Sequence, residues 1–191
     1  MKRPAIFSQL QNRYHGRQEA RRALIGKSNE ALSKSKRAIF ALHRDDHEEA
    51  ANLLSQADKL FTQAEKSFKR YEALEYEGAY KAALEEYAEA LLFEGYLRTG
   101  KLGKIHERAM GPTVYLAGLT DTTGEMVRYA VREITLGNTD VVPKVYESVE
   151  MVVEYLLDMD LTGYLRTKFD QAKKNLSRLE GMTYDLAIRD K

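Results

Sequence analysis

The segment LEEYAEALLFEGYLR, Leu84 to Arg98, constrains the fold more than any other part of the chain. Wound at about 100° per residue, it places Leu84, Tyr87, Ala88 and Leu91 on one side and Phe93, Tyr96 and Leu97 on the other. A helix that is apolar on nearly every side has to be enclosed by other elements. Yet Glu86 and Glu89, about 60° apart, share the side of Phe93 and Leu97. A carboxylate among hydrocarbon is costly or takes up a proton, so the pattern demands a compensating group.

The partners that enclose this helix must themselves be helices. Helical spacing dominates throughout, and no series of alternating segments with hairpin turns reads as a sheet. The expected class is all-α, with 1–191 as one domain, a length sufficient for a sizeable core. A long basic helix is expected from about Ile6 to Arg44, with apolar points at Leu10, Tyr14, Ala20, Leu24, Ala31, Ala38, Ile39 and Leu42. Asp45 or Asp46 caps a second helix with Glu48 and Glu49 in its first turn, running to about Tyr71. Further helices are expected over Glu75 to Arg98, from Pro112 or Thr113 to Leu136, over Val141 to Met159, and from Thr162 or Gly163 to near Arg189.

Composition removes several kinds of chemistry. There is no cysteine, so disulfides, thiolate metal sites and cysteine nucleophiles are excluded, and any metal is held by oxygen or imidazole. No apolar run approaches the roughly 20 residues of a membrane helix, and the start MKRPAIFSQLQNR has no signal-peptide core. A cytoplasmic protein with no membrane partner is therefore expected.

The overall charge of +1 conceals a division. Residues 1–44 have a net charge of +9, whereas 45–191 have −8. Such asymmetry suits a basic element for a polyanion and an acidic remainder that supplies metal ligands and solvated faces. Arg13, Arg17 and Arg21 recur every four residues, and Lys36 and Arg37 cluster before His43 and Arg44. A charge run is usually a solvated face, but regular basic spacing on a helix can follow a phosphate backbone, and the net charge of +9 over 44 residues favours nucleic acid. His43 and His47 straddle an expected interhelix turn, where capping or phosphate contact suits them better than metal binding.

In YLAGLTDTTGEMVRYAVREI, Asp121, Glu125, Arg128 and Arg132 form one polar stripe opposite Leu116, Leu119, Met126, Ala130 and Ile134. With Glu86 and Glu89 this gives four acids on two helices, an arrangement by which helical bundles hold oxygen-liganded cations. Such a donor set favours Mg²⁺ or Mn²⁺ over zinc. Carboxylates one turn apart are also common in ordinary ion pairs, such as Glu125 with Arg128 or Arg132.

Four stretches, SKSKRAIFALHR (33–44), LEEYAEALLFEGYL (84–97), YLAGLTDTTGEMVRYAV (115–131) and LRTKFDQAKKNLSRLEGMTYDLAIR (165–189), resemble the translin/TRAX family in order and spacing. The resemblance implies a fold of about seven helices, one more than the six read above, with a break near Gly103 to Pro112 as the place for it. It also implies hollow octamers enclosing RNA. Translin-type subunits of that family bind single-stranded RNA and DNA, whereas TRAX-type subunits are Mg²⁺-dependent endoribonucleases. The TRAX pattern E-Y-V-E-A followed by D-L-T-G-E is similar to EYAEA at 86–90 and DTTGE at 121–125.

That match implies catalytic and metal-binding roles for Glu86, Glu89, Asp121 and Glu125. Glu89 and Glu125 would be the principal ligands, with Glu86 and Asp121 completing the site. RNA, single-stranded or duplex, would lie on Arg13, Arg17, Arg21, Lys36, Arg37, His43 and Arg44. The final helix is closer to the translin type. A compact homo-oligomer, an octamer as the resemblance implies, would combine both characters; the alternative is a non-catalytic binder of single-stranded RNA or DNA.

Overall fold

A computed structural model describes residues 4–106 and 108–189. It contains six α-helices in chain order: α1 (Ala5–Leu42), α2 (His47–Glu65), α3 (Gly78–Thr99), α4 (Pro112–Thr135), α5 (Val141–Leu157) and α6 (Gly163–Arg189). No strand occurs among the described residues. The expected all-α class is therefore observed. The additional helical element is a 3₁₀ turn at Glu72–Tyr76, between α2 and α3. The described part of 101–111 is not helical, so the break expected near Gly103 to Pro112 adds no helix.

Local chemistry sets the helix limits. Asp46 caps α2 by accepting from the Glu49 amide at 3.1 Å, with Glu48 and Glu49 in the positive first turn. This helix stops at Glu65, short of the expected Tyr71: Ser67, Phe68 and Arg70 bond three residues back, to Ala64, Glu65 and Ser67, as tight turns leading into the 3₁₀ element. Gly100 takes φ +69° and closes α3 with its amide on Tyr96 O at 2.7 Å, a conformation for which glycine is suited. Pro112 begins α4, where a missing amide proton is no loss.

The helices pack in a sequence of neighbours: α2 on α1, α1 on α3, α3 on α4, and α4 on both α5 and α6, which also pack on each other. The α1 seam is Leu24, Ser28, Ala31, Ser35, Ala38 and Leu42, a repeat alternating four and three residues. Its small side chains admit close neighbours, and the two serine hydroxyls donate to carbonyls one turn back, leaving no orphaned donor. At about 1.5 Å per residue, α1 is about 57 Å long, and its first half lies outside the core. Leu10 and Tyr14, expected at apolar positions, are accordingly exposed together with Ile6 and Phe7. The core is built around Phe61, Tyr87, Phe93 and Met126, each essentially fully buried. α3 lies between α1 and α4 and supplies Tyr80, Tyr87, Leu91, Phe93 and Tyr96 to it, as its apolar circumference requires.

Candidate functional site

The geometry of the site begins at a glycine. Where α3 and α4 cross, a Cβ on Gly118 would lie 2.7 Å from Ala88 Cβ and 3.0 Å from both Glu85 O and Glu89 N. Only a residue with no side chain fits between these backbones. Thr122 ties the same crossing by donating to Gly118 O at 2.8 Å, with Glu89 O at 3.4 Å. Glu89 therefore leaves α3 beside the point of closest approach, and Asp121 and Glu125 leave α4 one and two turns beyond Gly118. The four acids expected from the sequence are brought together.

Their electrostatics are unequal. Glu89 is 9% exposed, and its carboxyl group has no hydrogen-bond or ion-pair partner among the described residues. Burial, and then the charges of Glu86, Asp121 and Glu125, push its pKa up to about 9. Burial also raises Glu86, against the pull of Lys36, whose Nζ lies 3.8 Å away. Asp121 accepts from Lys168 of α6. Burial alone would lower the Lys168 pKa, but the hydrogen bond and charge of Asp121 outweigh it and hold the ammonium above its ordinary value. Glu125 faces His43 Nε2 at 2.5 Å and Arg128 at 3.5 Å.

Three of the four acids thus have cationic or imidazole partners, and the fourth is buried without one. The donor chemistry suits a hard divalent cation, because the acids offer only oxygens and Glu89 lacks a counter-charge. As the side chains stand, no three His, Asp or Glu side chains among the described residues are grouped to enclose an ion. Lys36, Lys168 and His43 hold three of the carboxylates in other pairings. A cavity of about 520 Å³ opens beside the cluster, lined by Glu89, Asp121, Glu125, Arg128, Asn175 and Arg178 among others.

The basic residues divide into two groups. Arg13, Arg17 and Arg44 are exposed and have no ion-pair partner among the described residues. Arg21 is bound to Glu77 through two 2.8 Å hydrogen bonds, and Arg37 lies 3.5 Å from Glu49, so both have partners within the chain. Lys36 reaches Glu86 and joins the basic helix to the acid cluster. His43, expected on the phosphate-contacting face, is instead 7% exposed, stacked near Phe93 with ring centroids 4.8 Å apart. It lies one turn after Ile39 on the buried seam of α1, which is why its ring turns inward. Arg132, expected on the stripe of Glu125, pairs with Asp45 and Glu133.

Sequence reasoning missed Lys168 and Asn175. They are seven residues apart on α6, hence on nearly the same helix face, within the stripe of Phe169, Ala172 and Leu179. A polar pair interrupting an apolar stripe was the available signal. Asn175 is 3% exposed and donates from Nδ2 to Thr123 Oγ1 at 2.8 Å.

A profile of the Translin family matches residues 19–190. The Translin-associated protein X homolog of Schizosaccharomyces pombe is 26% identical over 207 residues, covering 96% of this chain and 88% of the relative. Translin-associated protein X of Rattus norvegicus is 23% identical over 225 residues, covering 96% and 78%. Among solved structures, apo-NeC3PO superposes with a TM-score of 0.85 at 23% identity, over 95% of this chain and 97% of that one. AfC3PO in complex with duplex RNA superposes with a TM-score of 0.85 at 22% identity, over 97% and 99%.

Proposed function

The chain belongs to the translin family, and from that premise we propose that it is an RNA-binding, Mg²⁺- or Mn²⁺-dependent endoribonuclease of the TRAX type. The observation that carries this reading is Glu89: a buried carboxyl without a partner, facing three more acids at the wall of a cavity large enough for a nucleotide. Ionising a carboxyl so enclosed costs stability, a cost that a divalent cation at the cavity wall would offset. The similarity to an S. pombe relative of the TRAX type and to AfC3PO in complex with duplex RNA supports the same reading.

Glu89 and Glu125 are the principal ligands in this proposal, with Glu86 and Asp121 completing the site. A divalent cation held there would supply charge neutralisation at the phosphoryl oxygens and a more acidic water. Glu86 and Asp121, outside the principal pair, orient the attacking water by accepting its hydrogen bonds. Lys36 and Lys168 compensate these acids in the free chain and would release them toward the cation. Arg13, Arg17 and Arg44 draw the RNA backbone to the surface that leads into the cavity. Hydrolysis leaves a 5′-phosphate on one product and a 3′-hydroxyl on the other.

The exposed Ile6, Phe7, Leu10 and Tyr14 on the projecting half of α1 give an apolar stripe suited to assembly with further copies, with an octamer as the proposed number. Native mass spectrometry tests that number. A translin-like binder of single-stranded RNA or DNA without cleavage is the second reading, favoured by the cationic or imidazole partners of Glu86, Asp121 and Glu125. Labelled single-stranded and duplex RNA incubated with the purified protein in Mg²⁺ or EDTA separates the two. Products with 5′-phosphates in Mg²⁺ alone support the enzyme, whereas binding without cleavage in both supports the binder.

A further inference from the structure

The orientation of one buried amide is fixed by its neighbours. Thr123 Oγ1 donates its proton to Thr120 O at 2.6 Å, so toward any other group the hydroxyl can only accept. Asn175 approaches that oxygen at 2.8 Å and must do so with its Nδ2. The opposite end of the amide, Oδ1, is thereby committed as an acceptor and cannot be exchanged for a donor by a flip of the group.

Asn175 belongs to the wall of the same cavity as Glu89, Asp121 and Glu125. Gly124 faces it, where a Cβ would come 3.5 Å from Asn175 Nδ2, so α4 is bare at that point. Arg128 and Arg178 line the cavity as well and supply positive charge for phosphates. A ligand seated there meets acids and cations together with a fixed neutral acceptor from α6. The group on a nucleic-acid strand that matches the acceptor is a sugar hydroxyl, which offers a proton where deoxyribose offers only C–H.

We infer that Asn175 Oδ1 accepts a hydrogen bond from the ribose 2′-hydroxyl of the nucleotide seated at the acid cluster, making Asn175 a residue that selects RNA over DNA. This rests on the endoribonuclease reading given above. Water, not the 2′-hydroxyl, is the nucleophile in that reading, so replacing the hydroxyl leaves the chemistry intact.

The test is a walk of single 2′-fluoro substitutions along a labelled RNA, since fluorine preserves the ribose pucker but donates no proton. In Mg²⁺, wild-type protein should lose about tenfold in kcat/KM when the substitution reaches one particular nucleotide, the scale of one hydrogen bond to a buried polar partner. Asn175→Ala should cleave both substrates at equal rates at that position. Thr123→Val keeps the asparagine but frees its amide to turn, and should also weaken the discrimination, a result that mere packing of Asn175 does not produce. Fluorescence anisotropy in EDTA, comparing RNA with fully 2′-fluoro RNA, should show the same narrowing in both variants.

If Asn175→Ala fails to fold, the wild-type walk and Thr123→Val decide the matter. Cleavage by wild type that is equally fast at every substituted position overturns the inference alone, as does discrimination unchanged in the variants. A wild-type protein that does not cleave RNA in Mg²⁺, whether or not it binds, removes the endoribonuclease reading, and this inference with it.

Discussion

His43 Nε2 stands 2.5 Å from Glu125 Oε2, joining the end of the basic helix α1 to the middle of α4. With its Nε2 donating to the carboxylate, the buried Nδ1 has no hydrogen-bond partner among the described residues. Lys36, seven residues earlier and on the same face of α1, lies near Glu86. The helix that concentrates positive charge therefore also borders the acids. The acids lie far along α1 from Arg13 and Arg17, so the two groups can be tested independently.

Glu89→Gln and Glu125→Ala should each abolish Mg²⁺-dependent cleavage, with rates falling at least about 100-fold, while RNA affinity in EDTA stays within about threefold. Glu94→Ala and Glu85→Ala should retain cleavage. Glu85 instead accepts from Tyr164 OH at 2.5 Å, apart from the acid cluster. Gel assays of the four purified variants on one labelled RNA check this, and cleavage at wild-type rate by both Glu89→Gln and Glu125→Ala would falsify the endoribonuclease reading.

Glu89 gives the metal-free protein a pH-dependent stability. Its folded-state pKa of about 9 lies above the ordinary 4.5. The folded chain keeps a proton that the unfolded chain releases between those values, so the contribution is complete below pH 4.5 and is lost as pH rises to about 9. In EDTA, Glu89→Gln should be increasingly more stable than wild type across that window, by at least about 3 °C in Tm at pH 8. Thermal unfolding from pH 5 to 9 measures the gap. Adding Mn²⁺ should raise the wild-type Tm and leave that of Glu89→Gln nearly unchanged.

The α3–α4 crossing predicts a contrast between two glycines. Gly118→Val forces backbone and Ala88 apart and should cost about 2–3 kcal/mol. Gly26, inside α1 with nothing within 4 Å of an added Cβ, should behave oppositely: Gly26→Ala should stabilise by about 0.5–1 kcal/mol. Urea denaturation compares the two. Cleavage should fall in Gly118→Val even where it is folded, because Glu89 and Asp121 are positioned from that contact.

The arginines should separate by their existing partners. Arg13→Ala, Arg17→Ala and Arg44→Ala should each weaken RNA binding and reduce the slope of log affinity against log salt by about 1. Arg21→Ala and Arg37→Ala should have smaller effects, because these cations are already paired with Glu77 and Glu49. Anisotropy titrations at several salt concentrations give both quantities.

Local patterns were enough to determine the six helices, the enclosure of α3 and the acid pairs on α3 and α4. Helical spacing, caps and terminating glycines act within a few residues, and the middle of α3 is apolar on nearly every side. The sequence also showed the basic character of α1, but not which of its cations would remain free. That was decided by contacts between residues far apart in the chain: Arg21 with Glu77, Lys36 with Glu86, His43 with Glu125 and Lys168 with Asp121. Each depends on how helices cross, and the crossing of α3 and α4 depends on the bare backbone at Gly118. The same tertiary packing buried His43 and Asn175, exposed Leu10 and Tyr14 beyond the end of the core, and left Glu89, of the four clustered acids, without a partner among the described residues.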